Sequence, residues 1–151
     1  MYLCGACRRI GRCRLGVESE AIDAKGVVSY RLRCEREHEG GRNVAHGAWT
    51  AGVLDELVGH VAVLHDQLAV TGQLDVTFLK PVPVGQQLTG LGWRERKEGS
   101  RWFVHAVLRL EAGGADLAIA RAILVERDPG HFARHEAWLR TQLDGDRDGA
   151  Q

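Results

Sequence analysis

His46, Gly47 and Asp55 are the residues whose types and spacing point most directly to chemistry. They lie in Asn43-Val44-Ala45-His46-Gly47-Ala48-Trp49-Thr50-Ala51-Gly52-Val53-Leu54-Asp55, where a polar, glycine-rich approach gives way to the longest apolar helical pattern in the chain. A helix start offers backbone N–H groups without intrahelical partners and the positive end of the helix dipole. At Gly47 no side chain screens those donors, so this end suits a polarised carbonyl oxygen. Asp55 could then act as general base on a water, or as nucleophile on the carbonyl. The plainer reading makes Asp55 a solvated helix acid beside Glu56 and His46 a loop residue. On a straight helix, His46 and Asp55 are about 180° apart around the axis and about 13.5 Å apart along it. One chain cannot bring both to one small substrate, so a site that uses both must draw them from two subunits.

The cysteines are the second candidate. Cys4, Cys7 and Cys13 fall in a short basic segment, and Cys34 lies apart. A C-x-x-C pair can clip zinc, but four ligands are needed, and Cys34 or a histidine would have to complete the set in a zinc-stabilised interaction module. A redox pair is favoured less, because no strand precedes it and no helix pattern follows. Reduced cysteines in a lead-in are the plain reading, and no metal or other cofactor is expected. Other constellations are missing. The three serines sit in no Gly-x-Ser-x-Gly elbow, and there is no phosphate loop or Gly-x-Gly-x-x-Gly. His60 and His65 are five apart and do not share a helix face. Trp93, Trp102 and Trp138 read as core or interface anchors.

The elements that must position these residues come from periodicity. Val28, Tyr30, Leu32 and Cys34 alternate with Ser29, Arg31 and Arg33, which predicts a half-buried strand over 27–34. From His46 to about Leu64, apolar residues recur at steps of three and four (Leu54, Leu57, Val58, Val61, Leu64) and predict one amphipathic helix. A second stripe of small or acidic residues runs Ala48, Gly52, Asp55, Gly59, Ala62. Its two glycines cost about 1 kcal/mol each relative to alanine, so a close approach by the helix's own sheet, a neighbour or a ligand is expected there. Four strand-like runs follow: 70–78, with Val70, Gly72, Leu74, Val76 and Phe78 opposite Thr71, Gln73, Asp75 and Thr77; 88–96; 101–110; and 117–126. The last is apolar on both faces, as a strand covered twice would be. Phe132 to Leu143 reads as a short amphipathic helix. The fold class is α+β, one long central helix wrapped by a curved antiparallel sheet. The division expected is a cysteine-containing lead-in (1–20), one domain (21–143) and a flexible tail (144–151).

The 151 residues suffice for one domain with a real core. Twenty basic and twenty acidic residues balance, which argues against nucleic acid or an anionic membrane as partner. No apolar run is long enough to span a bilayer, and Met1-Tyr2-Leu3-Cys4 does not open a signal peptide. A cytoplasmic location with reduced thiols is the expectation.

The order strand, helix, four-strand meander is similar to the hotdog fold. His46-Gly47-Ala48 followed by Leu54-Asp55-Glu56 resembles the His-Gly-Gly…Leu-Asp-Glu motif of hotdog acyl-CoA thioesterases of the phenylacetyl-CoA (PaaI-like) branch. Thr71 to Gly85 resembles that branch's strand motif, and Cys4 to Leu15 loosely resembles the lead-in of one subgroup. The resemblance implies hydrolysis of an acyl-CoA thioester to free acid and CoA. It implies Asp55 as catalytic carboxylate, the Gly47 N–H on the thioester carbonyl, His46 shaping the turn, and Thr71 helping to hold the attacking water. Asn43, Ala48, Glu56 and Gly59 are the expected substrate-binding residues. It further implies a homodimer with shared active sites, or a homotetramer. Ala48 replaces the family's second glycine, and Gly40 stands where many members carry asparagine. The alternative is a hotdog protein that binds acyl-CoA without cleaving it, as sensor or carrier.

Overall fold

The long helix owes its place to two glycines on the strand beneath it. The structure, a computed structural model, describes residues 1–148. Helix α2 (Gly47–Val63) lies on an antiparallel sheet in which β6 (Gln87–Glu98) carries Gly90 and Gly92. A Cβ at Gly90 would come within 2.7 Å of Leu57 Cδ1, and one at Gly92 within 2.9 Å of Val61 Cγ2. The helix thus sits closer to the sheet than any side chain at those positions allows. Tyr30 reinforces the contact by donating its phenol to the Leu57 carbonyl at 2.7 Å. Gly92→Ala is expected to destabilise the protein by about 1–3 kcal/mol through overpacking, read as a lower denaturation midpoint at unchanged slope.

The remaining elements are α1 (Gly5–Ile10), β1 (Val17–Ile22), β2 (Val28–Arg33), β3 (Glu39–Gly41), β4 (Val44–Ala45), β5 (Ala69–Phe78), β7 (Arg101–Leu110), β8 (Asp116–Glu126) and α3 (His131–Asp148). The main sheet runs β1-β2-β6-β7-β8-β5, all neighbours antiparallel. One face carries the core, in which Val53, Leu54, Leu57, Val58 and Val61 of α2 pack on Tyr30, Leu32, Leu88, Val104, Leu108 and Leu124. This is the α+β arrangement of a central helix wrapped by a curved antiparallel sheet.

Several expectations need correction. Two strands of the main sheet, not one, precede the helix, and the short β3–β4 pair follows them: β1 pairs with β2 and reaches back to Val17, inside the segment expected as lead-in. A short helix, α1, begins directly after Cys4, where no helix pattern was expected. β8 is covered by α2 on one face only; Ile119 and Ile123 on the other are half-buried. α3 runs past Leu143 to Asp148, into the expected tail, while residues 149–151 lie outside the described residues. Its Phe132, Trp138, Leu139 and Leu143 are exposed. Of the other tryptophans, Trp102 is a core anchor, buried and donating its indole N–H to Glu126 at 2.6 Å. Trp93 is partly exposed and stacks on His105. Among the described residues no helix is long and apolar enough to cross a membrane.

Candidate active site

The start of α2 is built as an acceptor for an electron-rich atom. His46 is the N-cap, extended at φ −60° and ψ 139°, and its Nδ1 accepts the Ala48 N–H at 3.0 Å. That bond fixes the ring with Nδ1 unprotonated and satisfies one donor of the first turn. Among the described residues the Gly47 N–H has no partner. Gly47 is the first helical residue, and an added Cβ there would meet only the edge of the Phe78 ring, at 3.8 Å. The His46 turn is held from behind. Its N–H donates to the His38 carbonyl at 2.7 Å, and Gly40 presses against it so closely that a Cβ would lie 2.7 Å from His46 Cα. The glycine at position 40 is therefore a packing requirement of the turn, which the sequence pattern did not single out.

In front of Gly47 lies a groove of about 320 Å³, lined by Val44, Ala45, Thr50, Phe78, Leu79 and Lys80 among others. Asp55 is not among its lining residues. It sits eight residues further along α2, about 12 Å by helix rise, and accepts a hydrogen bond from Thr71 Oγ1 at 2.8 Å. The structure thus brings Asp55 and Thr71 together and keeps both away from the Gly47 end of their own chain.

Thr71 reaches Asp55 because of a bulge. Strict alternation places Thr71 on the face opposite Leu74 and Val76. Instead the β5–β8 register shifts between Thr71 and Gln73, and the extra residue is Gly72. A bulge reverses the side-chain parity of a strand. Ala69 and Thr71 face the helix before it, Leu74 and Val76 after it, while Gln73, Asp75 and Thr77 line grooves on the outer face. Gly72 within an alternating run was the available signal.

The expected substrate-binding residues divide. Ala48 is exposed at the first turn. Asn43 holds a left-handed backbone at φ 59°, with its carbonyl accepting the Val84 N–H at 3.1 Å and its own N–H bonded to Glu39; it shapes the loop below the groove. Gly59, like Gly52, has nothing within 4 Å of an added Cβ. At these two glycines the close approach is not made by the chain's own sheet, so this part of the stripe has room in the single chain, whereas Ala62 at its end is buried in the core. Glu56 turns the other way, toward His60.

His60 is the titratable residue the sequence reading missed. It is buried, with Nδ1 2.5 Å from Glu20 Oε2 and Nε2 3.1 Å from Glu56 Oε1. The second contact is an ion pair without linear hydrogen-bond geometry. Burial alone would depress the imidazolium, but the Glu20 and Glu56 carboxylates override it and push the pKa up to about 9. For Glu20, burial is likewise outweighed, by His60 first and by the Tyr2 N–H, and its carboxyl is held below the ordinary value. The imidazolium and its carboxylates tie β1 to α2 one turn past Asp55. Among the described residues no three His, Cys, Asp or Glu side chains are placed to hold a metal ion.

Residues 42–115 match the model of the thioesterase superfamily. No curated protein sequence matches the chain. The fold is similar to that of the Escherichia coli PaaI protein from the phenylacetic acid degradation operon (15% identity, 83% of this chain and 86% of that one, TM-score 0.70). It is similar to smu.793 of Streptococcus mutans, bound to acetyl-CoA (19%, 77% and 92%, TM-score 0.69). A third similar structure is a hypothetical thioesterase of Streptococcus pneumoniae with coenzyme A (17%, 74% and 84%, TM-score 0.65). The S. pneumoniae thioesterase is also known as two single mutants, an aspartate and a threonine sixteen positions apart each changed to alanine; Asp55 and Thr71 have the same separation. The chain is a hotdog-fold protein whose central segment carries the thioesterase-superfamily pattern, with PaaI among its structural relatives.

Proposed function

We propose that the protein hydrolyses an acyl-CoA thioester to the free acid and CoA, as a cytoplasmic homodimer with two shared active sites. The observation that carries this reading is the Thr71–Asp55 hydrogen bond at 2.8 Å, set about 12 Å along the helix from a Gly47 N–H that has no partner among the described residues. In each site the Gly47 N–H of one subunit polarises the thioester carbonyl, and Asp55 of the other acts on the carbonyl carbon. As general base, Asp55 takes a proton from a water whose oxygen bonds to that carbon; as nucleophile, its carboxylate bonds first and water releases the acid. In both routes the C–S bond breaks and CoA leaves as thiolate. A thiolate leaves readily, so catalysis rests on polarising the carbonyl and delivering the oxygen. Thr71 fixes the carboxylate and, through its hydroxyl, the water. The S. pneumoniae mutants, at the same spacing, support the choice of Asp55 and Thr71, and the acetyl-CoA and CoA bound by the two streptococcal relatives support the substrate class. The open Gly52–Gly59 stripe leaves room for the neighbouring subunit or the acyl chain, and a homotetramer is the next assembly.

Gly47→Pro tests both the oxyanion role and the sharing. Proline is tolerated at a first helical position, and His46 already has the extended backbone that a following proline requires. The substitution deletes the donor and leaves the helix. The expected loss in kcat is about a hundred- to thousandfold. Mixing unfolded Gly47→Pro and Asp55→Asn chains and refolding them together should restore activity, because each heterodimer carries one intact site. Inactive mixtures that light scattering shows to be dimeric would contradict a shared site, and so would a monomer at micromolar concentration.

A further inference from the structure

We propose that Cys4 and Cys7 form a thiol–disulfide exchange site, with Cys4 as the attacking thiol and Cys7 as the resolving one, and with a low-molecular-weight disulfide of the glutathione type as the oxidant. The pair lies outside the Asp55–Gly47 machinery. Cys4 is the extended N-cap of α1, at φ −64° and ψ 169°, and its carbonyl accepts the Arg8 N–H that closes the turn at 2.9 Å. Cys7 is the third residue of that turn, so the two sulfurs stand one turn apart on the same side of the chain. At the extended cap, rotation about the Cys4 Cα–Cβ bond swings its sulfur toward Cys7, the movement that closing an S–S bond requires.

The two thiols differ in the way such a pair requires. Cys4 is partly exposed and Cys7 is buried, 3% accessible. Both line an open groove of about 530 Å³ with Arg12, Arg14, His38 and Glu56. Its arginines suit the carboxylates of a glutathione-type peptide. Cys7 Sγ accepts the Arg14 backbone N–H at 3.3 Å. Burial opposes a charge on that sulfur, but the Arg14 N–H and the neighbouring Cys4 thiol outweigh it and hold the Cys7 thiol below its ordinary value. Burial instead pushes the Cys13 thiol up, and the Cys34 thiol up to about 11. Both attacks are made by thiolates; the first also needs room for the incoming disulfide, which Cys4 has, and the second is eased by a resolving thiol that ionises readily beside it, which Cys7 is. Only the Cys4–Cys7 pair combines the two.

The chemistry balances in two steps. The Cys4 thiolate attacks one sulfur of the oxidised peptide; its S–S bond breaks, a Cys4–glutathione mixed disulfide forms, and one glutathione thiolate leaves. The Cys7 thiolate then attacks the Cys4 sulfur, which forms the Cys4–Cys7 bond and expels the second glutathione. Two cysteine thiols are oxidised, the peptide disulfide is reduced, and the two protons end on glutathione.

The test is mass analysis of the folded full-length chain after incubation with oxidised glutathione, quenching by alkylation and trypsin digestion. Cleavage at Arg8, Arg12, Arg14, Arg33 and Arg36 puts Cys4 and Cys7 in one peptide, Met1–Arg8, and Cys13 and Cys34 in two others. The expected result is a Met1–Arg8 peptide lighter by two hydrogens and free of alkylation, with Cys13 and Cys34 still alkylated. Cys7→Ser should stop at the first step and accumulate glutathione on Cys4, whereas Cys4→Ser should leave Cys7 reduced. Alkylation of both cysteines in Met1–Arg8 of the wild type, or glutathione on Cys13 and Cys34 as fast as on Cys4, overturns the proposal. Thioester hydrolysis plays no part in this readout, so its failure and that of the proposed function are separable.

Discussion

Asp55→Asn will lower kcat for acyl-CoA hydrolysis by about a hundred- to ten-thousandfold and leave KM nearly unchanged. The amide keeps the size of the carboxylate, and its oxygen can still accept the Thr71 hydroxyl that now bonds Asp55 Oδ1 at 2.8 Å. The capacity to take a proton or to attack a carbonyl is lost. Because the carboxylate acts on the reacting atoms and not on the CoA moiety, the loss falls on kcat. Thr71→Val removes one hydrogen bond to a charged carboxylate, worth about 1.5–3 kcal/mol, and should cost roughly ten- to a hundredfold. The ordering is the check: steady-state kinetics must show the Asp55 variant far below the Thr71 variant. An Asp55→Asn enzyme as fast as wild type would make Asp55 a solvated helix acid after all.

The second large effect is on stability and its pH dependence. His60 lies between Glu20, whose side chain is 1% exposed, and Glu56; Tyr2 packs edge-on to its ring, and the Tyr30 phenol bonds the carbonyl of Leu57, three residues before it on α2. Its folded pKa of about 9 is raised above the unfolded value of about 6.5. The stabilisation from its proton is therefore fully present below pH ~6.5 and is lost as the pH rises through about 9. The shift corresponds to about 3 kcal/mol. Glu20 works in the opposite sense: its lowered pKa gives stability above its unfolded value that is lost as the pH falls through the folded one. Stability should therefore be greatest in mildly acid solution. His60→Gln leaves two carboxylates without their cation and should cost about 3–5 kcal/mol. Its diagnostic is the slope: denaturation midpoints of the wild type fall between pH 6.5 and 9, and those of the variant do not fall with them. Parallel profiles would assign the titration elsewhere.

The elements legible in the sequence were those in which one physical pattern dominates. α2, β2, β7 and β8 carry enough apolar residues at regular spacing to fix their limits within a few residues, and the resemblance around His46-Gly47 and Asp55 rests on the same stretch. The parts that were not legible each depend on a partner distant in sequence. β1 reads Val17-Glu18-Ser19-Glu20-Ala21-Ile22, and its inward-turned acid looks solvated until His60, forty residues away, is placed against it. α1 is six residues long, too short for periodicity to show. Thr71 was assigned to the wrong face because one bulge at Gly72 inverts the alternation. The helix glycines read as contact points, yet the close approach is made by Gly90 and Gly92 on β6, while an added Cβ at Gly52 or Gly59 would meet nothing within 4 Å. Periodicity shows which face of an element is apolar and not how near its neighbour comes.

The central claim is that the protein cleaves acyl-CoA thioesters with water. Its most direct test offers the purified wild-type protein a panel of acyl-CoA esters, from short aliphatic to aromatic, and follows the release of free thiol. At least one ester is expected to be cleaved well above the uncatalysed rate. Thermal stabilisation by an acyl-CoA that is never turned over would contradict it and make the protein a binder of that ligand.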